Sequence, residues 1–233
     1  ANGLTRLGHN VWGFSDREIV RSEAPFGIRP IGAALMNRRL LETVENFQPD
    51  IMLLCHADTI SRQALRRIRE RPNPPLIALR NLDPMYISKN VDNVRRYQDL
   101  VDAIFVTTAG ETLRQFAGPG RIVAFMPNPV DASIESYRAF EGPAPEFDVF
   151  FATRVNKHTD RVTLFDELKR RMPALRIDHH GFDGRPPLLS AAFFERMARC
   201  RMGWNLNRQE YAWLYSSDRM AQYIGNGLLV LMD

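Results

Sequence analysis

Apolar residues occur along this chain in short runs that alternate with stretches of helical spacing. Several runs are apolar at consecutive positions, as in Ile51-Met52-Leu53-Leu54. Consecutive apolar residues are typical of a strand that helices cover on both faces, as in a parallel sheet. The runs predict strands at Asn10–Phe14, Asp50–Cys55, Pro75–Leu79, Ala103–Thr107, Ile122–Met126, Asp148–Ala152, Leu175–His179, Met202–Leu206 and Gly227–Met232.

Helices are predicted between these strands. Apolar residues three and four positions apart form stripes, as at Leu40, Val44 and Phe47, and such a stripe marks the buried face of a helix. The residues that stand where an N-cap is expected are Thr59, Thr159 and Ser217. Regular alternation of strands and helices implies right-handed crossovers and an α/β fold.

A proline-rich segment divides the chain. Pro127-Asn128-Pro129 interrupts any regular element, and Gly142-Pro143-Ala144-Pro145 has the composition of a linker. We therefore expect two Rossmann-like domains, at residues 1–130 and 147–233, joined by a linker at 131–146. The chain does not open with the strand and glycine-rich turn of a Rossmann unit, and no helix follows the final predicted strand. We therefore expect the catalytic unit to be truncated at both termini.

The composition is that of an ordinary soluble globular protein, with 45% hydrophobic and 25% charged residues. The net charge of +4 comes from arginines spread along the predicted helices. There is no compact basic stripe with interleaved aromatic residues, which argues against a nucleic-acid partner.

Cys55 and Cys200 lie in apolar runs, so we expect a reducing, cytoplasmic setting. No apolar run approaches the ~20 residues that span a bilayer, so contact with the inner face of a membrane would be peripheral.

Polar residues of the second domain gather where ligands of parallel sheets bind, beyond the carboxyl ends of the strands. Ser216, Ser217 and Arg219 lie at the predicted start of a helix. Free backbone N–H groups and an adjacent guanidinium can bind a pyrophosphate there. The alternative interpretation is a serine N-cap beside a surface arginine.

Three more cations, Arg154, Lys157 and Arg161, follow another predicted strand of the same domain. A diphosphate leaving group needs such cations as negative charge develops on it. Solvated loop charges are the alternative. Both groups lie on the same predicted edge of the sheet, which strengthens the interpretation as a phosphate site.

The first domain offers candidates for a general base. His56 and Asp58 follow one predicted strand, and Asp83 follows the next. A general base has to reach the hydroxyl group of an acceptor, whereas an N-cap or turn role is the alternative for each residue. The doublet His179-His180 lacks the cysteine or HExxH context of a metal site.

Several of these segments resemble known glycosyltransferases. Leu4-Thr5-Arg6-Leu7-Gly8-His9-Asn10-Val11 resembles the opening of many GT-B enzymes, in which a helix leads into Leu-Gly-His-x-Val. The segments that resemble CgeB-like (spore-protein-type) glycosyltransferases are Phe147–Ala152, His180-Gly181, Trp204-Asn205-Leu206-Asn207, Ser217-Asp218-Arg219 and Gly225-Asn226-Gly227-Leu228-Leu229. The segments that resemble the first-domain loop and the hinge of that group are Asn81-Leu82-Asp83 and Met126-Pro127-Asn128-Pro129-Val130-Asp131.

The resemblance implies a GT-B architecture, with two doubly wound parallel sheets facing across a cleft. The second domain would bind a nucleotide-diphospho-sugar donor and the first the acceptor, with no metal or other cofactor. The residues assigned to the donor are Arg154, Lys157, Arg161, His180, Gly181, Asn205, Asn207, Tyr211, Ser216, Ser217 and Arg219. Related retaining enzymes carry a Glu-x7-Glu signature in the region of this chain that begins at Asp218, and neither Gly225 nor Asn226 supplies a second carboxylate. The paired carboxylates therefore do not carry over, and the stereochemical course stays open.

The hypothesis from the sequence is sugar transfer from such a donor to a glycan, lipid-linked or protein acceptor of the cell envelope or surface. Asp83 is slightly favoured over His56 and Asp58 as the base. One alternative is a glycosyltransferase-like module without activity that serves in assembly. The other is a two-lobed binding protein or a sugar-nucleotide epimerase of similar fold, and an epimerase would convert a donor without any acceptor.

Overall fold

The computed structural model describes residues 1–153, 160–206 and 214–232. It divides the chain into two compact units, Ala1–Pro127 and Asn128–Asp233. Each unit contains a parallel sheet of four strands, which confirms the predicted α/β class with Rossmann-like sheets. The segment 131–146, predicted as a linker, lies within the second unit, where the backbone N–H of Ala139 donates to the carbonyl of Asn226 (2.8 Å).

Eight of the nine predicted strands are present, and the exception is described below. Helices separate them as predicted, except that the segments before Ile122–Phe125 and Phe147–Ala152 contain only 3₁₀ turns. The helices and strands of the first unit are α1 (Asn2–Arg6), α2 (Asp16–Ser22), α3 (Arg29–Phe47), β1 (Ile51–Cys55), α4 (Arg62–Arg69), β2 (Leu76–Asn81), α5 (Ser88–Arg95), β3 (Ala103–Val106) and β4 (Ile122–Phe125). Those of the second are β5 (Phe147–Ala152), α6 (Asp160–Arg171), β6 (Ile177–His180), α7 (Ala191–Met197), β7 (Cys200–Asn205), α8 (Asp218–Gly225) and β8 (Leu229–Met232). Short 3₁₀ turns occur at Pro25–Gly27, Gln98–Leu100, Gly110–Phe116 and Ala139–Glu141.

The first sheet has the strand order β1-β2-β3-β4, all parallel. Each strand is added next to the one before it, so right-handed crossovers place the connecting helices α4 and α5 on the same side of the sheet. Together with α3, they contribute to a single core over one face. The other face of β1 is uncovered, with Ile51 64% and Leu53 47% exposed. The expectation that helices cover this strand on both faces is therefore wrong.

The predicted strand at Asn10–Phe14 is also wrong. These residues form no strand, and Trp12 packs its ring near that of Phe47, at the end of α3 (6.1 Å between centroids). The apolar residues of this segment thus face a helix and not a neighbouring strand. A strand is defined by its ladder of hydrogen bonds, which the apolar pattern alone does not guarantee.

The second sheet has the order β6-β5-β7-β8, and helices cover both of its faces. The adjacent residues Phe150 and Phe151 of β5 point to opposite sides and belong to two separate hydrophobic clusters. The first cluster includes residues of α7 and α8, and the second includes Phe165 of α6. Coverage on both faces is confirmed here, and this unit is doubly wound.

Two predicted helix caps can be compared with the structure. Ser217 is confirmed as the N-cap of α8, because its hydroxyl accepts a hydrogen bond from the N–H of Met220 (3.3 Å). Thr59 is not a cap. Ser61 caps α4 instead, while the hydroxyl of Thr59 donates to Asp16 at 2.6 Å. Thr159 lies outside the described residues.

Close packing around Gly203 on β7 leads to a prediction of stability. A Cβ atom at Gly203 would lie 2.3 Å from the Tyr223 ring, which is fully buried and packs edge-on against Phe150. We expect Gly203→Ala to lower the free energy of unfolding by about 1–3 kcal/mol, as overpacked cores do. Denaturant titration measures the change. Gly142→Ala is the matched control, because its Cβ would meet only an ordinary contact at 3.5 Å. Equal effects of the two substitutions would contradict this packing.

Candidate functional site

The carboxyl edge of the second sheet brings together two of the predicted cations. Arg161, in the first turn of α6, donates to the carbonyl of Leu206 (2.7 Å) and to the hydroxyl of Thr153 (2.9 Å). Arg219, in the first turn of α8, donates to the same Leu206 carbonyl (3.0 Å) and to that of Ala152 (3.1 Å). Two guanidinium groups from different helices therefore converge where β5 and β7 end.

This position is the topological switch point of the sheet. The chain leaves β5 for β6 on one side and returns to β7 on the other. In doubly wound sheets the crevice at such a point is where ligands bind, beyond the carboxyl ends of the strands. The start of α8 also lies here and contributes backbone N–H groups and the positive end of the helix dipole.

The charge of Arg219 has no carboxylate partner within the described ranges. Its hydrogen bonds to Ala152 and Leu206 use two of the five N–H donors of a guanidinium, and both acceptors are neutral carbonyl groups. These bonds hold the guanidinium plane at the ends of the strands. An anion that entered the switch point would meet a positive charge already in position, so little ordering of side chains would be needed.

Buried polar residues support the turn that precedes α8. Asn205, at the end of β7, accepts a hydrogen bond from the hydroxyl of Ser217 (2.9 Å). The backbone carbonyl of Ser216 accepts from the side-chain amide of Asn128 (3.1 Å). Asn205, Ser216 and Ser217 are all buried. These residues therefore fix the start of α8 relative to the strand ends.

His180 and Gly181 lie on the neighbouring strand end but belong to a different network. The ring of His180 lies 3.2 Å from the carboxylate of Asp178, which is fully buried and bound in bidentate fashion by Arg196 (2.8 and 2.9 Å). Gly181 has a positive φ of 91°, and its N–H donates to the carbonyl of Arg185 (3.1 Å). The structure does not bring His180 into contact with Arg161 or Arg219 through any described hydrogen bond.

Burial is the largest cause of the pKa shifts of three groups in the second unit, His179, Cys200 and Tyr223. It holds the pKa of His179 below its ordinary value, so the ring is neutral near pH 7. It raises the pKa of both Cys200 and Tyr223 to about 12. These three groups are packed in the hydrophobic core, and none carries charge that a ligand could meet.

Four residues assigned to the donor lie outside the described residues. They are Arg154, Lys157, Asn207 and Tyr211. Their assignment remains a prediction. The assigned residues that the structure places at the ends of β5 and β7 and the start of α8 are Arg161, Arg219, Asn205, Ser216 and Ser217.

In the first unit, the structure brings two of the three candidate bases together. β1 and β2 are neighbours in register, with Cys55 beside Arg80. The residues that follow each strand are therefore close, and Nδ1 of His56 lies 3.6 Å from a carboxylate oxygen of Asp83. His56 is partly exposed and Asp83 half-exposed, so both can reach a ligand at this edge.

The backbone at His56 is strained. His56 and Ala57 have consecutive positive φ angles of 63° and 53°, and the N–H of Ala57 donates back to the carbonyl of Cys55 (2.8 Å). Left-handed non-glycine residues cost of order 1–3 kcal/mol and persist where the surroundings hold them. Here the buried hydroxyl of Tyr97 shares its single proton between the carbonyls of Ala57 (2.9 Å) and Ile60 (2.7 Å). Tyr97 thus stabilises the turn that presents His56.

Buried polar side chains fix the opposing loop as well. The carboxamide of Asn81 accepts from the N–H of Asp83 (2.8 Å), and the hydroxyl of Thr107 donates to the carbonyl of Leu82 (3.0 Å). The hydroxyl of Thr108 accepts from the N–H of Met85 (3.1 Å). Sequence reasoning placed Thr107 and Thr108 on this edge but missed Tyr97. The position of Thr107 and Thr108 at a strand end was the available signal, whereas nothing in the pattern identified Tyr97.

Asp58 is directed elsewhere. Its carboxylate forms an ion pair with Arg17 of α2, and its backbone carbonyl accepts from Arg96 (3.3 Å). That carboxylate is occupied by Arg17, whereas His56 and Asp83 lie beside each other. Of the three candidates, His56 and Asp83 therefore form the more credible dyad.

A cavity of about 510 Å³ lies elsewhere in the first unit, and no sequence signal identified it. Its lining combines the exposed indole of Trp12 with Glu18 of α2 and Arg39 of α3. Phe47, near Trp12, lies at the end of α3 that leads into the start of β1.

Comparison with other proteins adds no family to this description. Scans against family models and against curated proteins find no match for the chain. Across the described ranges, no three His, Cys, Asp or Glu side chains form a group that could hold a metal ion. No described helix is both long and apolar enough to span a bilayer.

Proposed function

We propose that the protein is a glycosyltransferase of the GT-B type that uses a nucleotide-diphospho-sugar. The second unit binds the diphosphate of the donor, and the first unit binds the acceptor, a glycan, lipid-linked or protein group of the cell envelope. The observation that carries this proposal is the convergence of Arg161 and Arg219 on the Leu206 carbonyl at the switch point of a doubly wound sheet.

In this proposal the two guanidinium groups neutralise the leaving diphosphate. Negative charge grows on the phosphate oxygens as the bond to the sugar breaks, and positioned cations stabilise that charge without reorganising. The N–H groups at the start of α8 contribute in the same direction. These cations supply the neutralisation that a divalent metal provides in other enzymes, so the reaction as proposed needs no metal.

His56 and Asp83 are the proposed acid–base pair of the acceptor side. His56 takes the proton of the acceptor hydroxyl as that oxygen attacks the anomeric carbon of the sugar. Asp83, 3.6 Å from Nδ1, orients the ring and stabilises the imidazolium that forms, so it is a positioning residue. This assignment revises the slight preference for Asp83 as base, because the carboxylate faces the ring of His56.

Calorimetric titration with UDP, GDP, ADP, dTDP and CMP tests the donor site. We expect at least one nucleoside diphosphate to bind, and to bind more tightly than the monophosphate of the same nucleoside, because the second phosphate reaches the guanidinium pair. Absence of binding to every nucleotide would contradict the proposal. Product analysis with the matching sugar nucleotide then separates the classes, since a transferase needs an acceptor and an epimerase converts the donor alone.

A further inference from the structure

An exposed apolar tip projects from the first unit just before α3. Its centre is Phe26, whose side chain is fully exposed (101%). Ile28 and Ile31 are also exposed, and so are Pro25 and Pro30 between and beside them. Large apolar side chains scattered singly over a surface need no explanation, but a contiguous group marks an interaction site. We call the segment Pro25–Ile31 the apolar tip.

The tip is a hydrogen-bonded turn with an unusual backbone conformation at its centre. Phe26 has a left-handed backbone (φ 54°, ψ 24°), which is a genuine outlier for a bulky residue. Two hydrogen bonds close the turn around it, from the N–H of Gly27 to Ala24 and from that of Ile28 to Pro25 (3.0 Å each). The turn therefore holds the Phe26 ring out in solvent at a cost in both backbone strain and hydration.

Helix α3 carries the tip beyond the carboxyl edge of the first sheet. Asn37 marks the level of that edge, since its side chain bonds Thr59 (3.1 Å) and Ser61 (2.8 Å) in the loop after β1. Arg29 begins the helix eight residues earlier, which corresponds to roughly 12 Å of helix. The tip thus stands above the same edge that carries His56.

The charge around the tip is positive. The sequence contains no carboxylate from Ala24 to Leu41, and Glu23, just before this stretch, is paired with Arg39. Arg21 and Arg29 are exposed, and neither has a carboxylate partner among the residues that the structure describes. Exposed cations beside an apolar tip are complementary to anionic lipid headgroups, with each cation near the surface favouring binding. Apolar side chains then enter the boundary between headgroups and acyl chains.

We propose that the apolar tip docks the protein on a bilayer that contains anionic phospholipid, with Phe26, Ile28 and Ile31 inserted. The proposal does not depend on glycosyl transfer. If the protein is also a glycosyltransferase, the docked tip brings the His56 edge to the membrane surface, where a lipid-linked acceptor would be found.

Vesicle co-sedimentation tests the tip. We expect the protein to sediment with vesicles of phosphatidylglycerol and phosphatidylcholine more than with phosphatidylcholine alone. Phe26→Ser should lower the partition coefficient about tenfold, the effect of withdrawing one large apolar side chain. Leu189→Ser is the matched control, since Leu189 is an exposed residue (65%) of the second unit, and it should leave partitioning unchanged. The double variant Arg21→Glu/Arg29→Glu should abolish the preference for phosphatidylglycerol.

A spectroscopic variant reports insertion directly. Phe26→Trp should show a blue shift of its emission when the mixed vesicles are added, relative to the wild-type protein. Failure to sediment with either vesicle, or equal partitioning of wild type and Phe26→Ser, would overturn the proposal. Loss of a concentration-dependent dimer in Phe26→Ser, without vesicle binding by the wild type, would overturn it in favour of a protein interface. The Phe26→Ser variant should bind nucleotides as tightly as the wild type. Calorimetric titration of this variant therefore distinguishes loss of membrane binding from loss of the proposed donor site.

Discussion

Replacing His56 with alanine is expected to lower the rate of sugar transfer by about 100- to 10,000-fold, the range that a positioned general base contributes. His56 directly follows β1, and a carboxylate oxygen of Asp83 lies 3.6 Å from its Nδ1, where the proposal assigns it the role of orienting the ring. The loss should appear in kcat, while the affinity for the nucleotide should be unchanged, because the donor site lies in the other unit. Initial rates with saturating donor measure the effect.

Backbone strain at His56 calls for a second variant. The residue has a positive φ of 63°, a conformation that asparagine tolerates better than alanine. His56→Asn should therefore fold like the wild type and still lose transfer. Asp83→Asn should cause a smaller loss, since it removes only the orienting carboxylate. The exposed residue His9 offers the control His9→Ala. Full activity in His56→Asn would exclude His56 as the base.

Removing the charge of Arg219 is the second large effect that we expect. Arg219→Ala should weaken nucleoside diphosphate binding by roughly 10- to 100-fold, because charge-assisted hydrogen bonds are worth about 1.5–3 kcal/mol. The monophosphate of the same nucleoside should lose less, since its phosphate reaches the guanidinium pair less fully. A purely structural role of Arg219 would weaken the binding of both nucleotides equally. A larger loss of affinity for the diphosphate than for the monophosphate therefore indicates contact with the second phosphate.

Arg219 also links two strand ends through Ala152 and Leu206, so a control for folding is required. Arg219→Gln retains an amide donor for one of these carbonyls and removes the positive charge. It should keep the melting temperature closer to that of the wild type and lose diphosphate affinity as Arg219→Ala does. Arg170→Ala, at the opposite end of α6 and paired with Glu167, should bind normally. An Arg219→Gln variant with unchanged affinity would show that the charge has no role in binding.

Much of the fold follows from the apolar pattern, because strand–helix alternation leaves few topologies. The pattern could not show which faces are covered. Ile51-Met52-Leu53-Leu54 and the run that contains Phe150 and Phe151 look alike in sequence. The second is covered on both faces because β5 lies between β6 and β7, so the chain adds strands first on one side of β5 and then on the other. The first lies in a sheet whose strands are added in chain order toward one side, so its connecting helices all lie on one face.

The candidate site was predictable only in part. The rule that ligands bind beyond strand ends identified Arg161, Arg219, His56 and Asp83. The pairing of His56 with Asp83 depends on the register of neighbouring strands, and the capture of Asp58 by Arg17 joins residues 41 positions apart. Contacts of that range arise from tertiary packing and leave no local trace in the sequence.

A crystal structure with the tightest-binding nucleoside diphosphate would test the central claim most directly. We predict that the diphosphate lies beyond the ends of β5 and β7, with phosphate oxygens about 3 Å from the Arg219 guanidinium and from backbone N–H groups at the start of α8. A nucleotide bound away from this edge, with Arg219 bonded only to Ala152 and Leu206, would contradict the account.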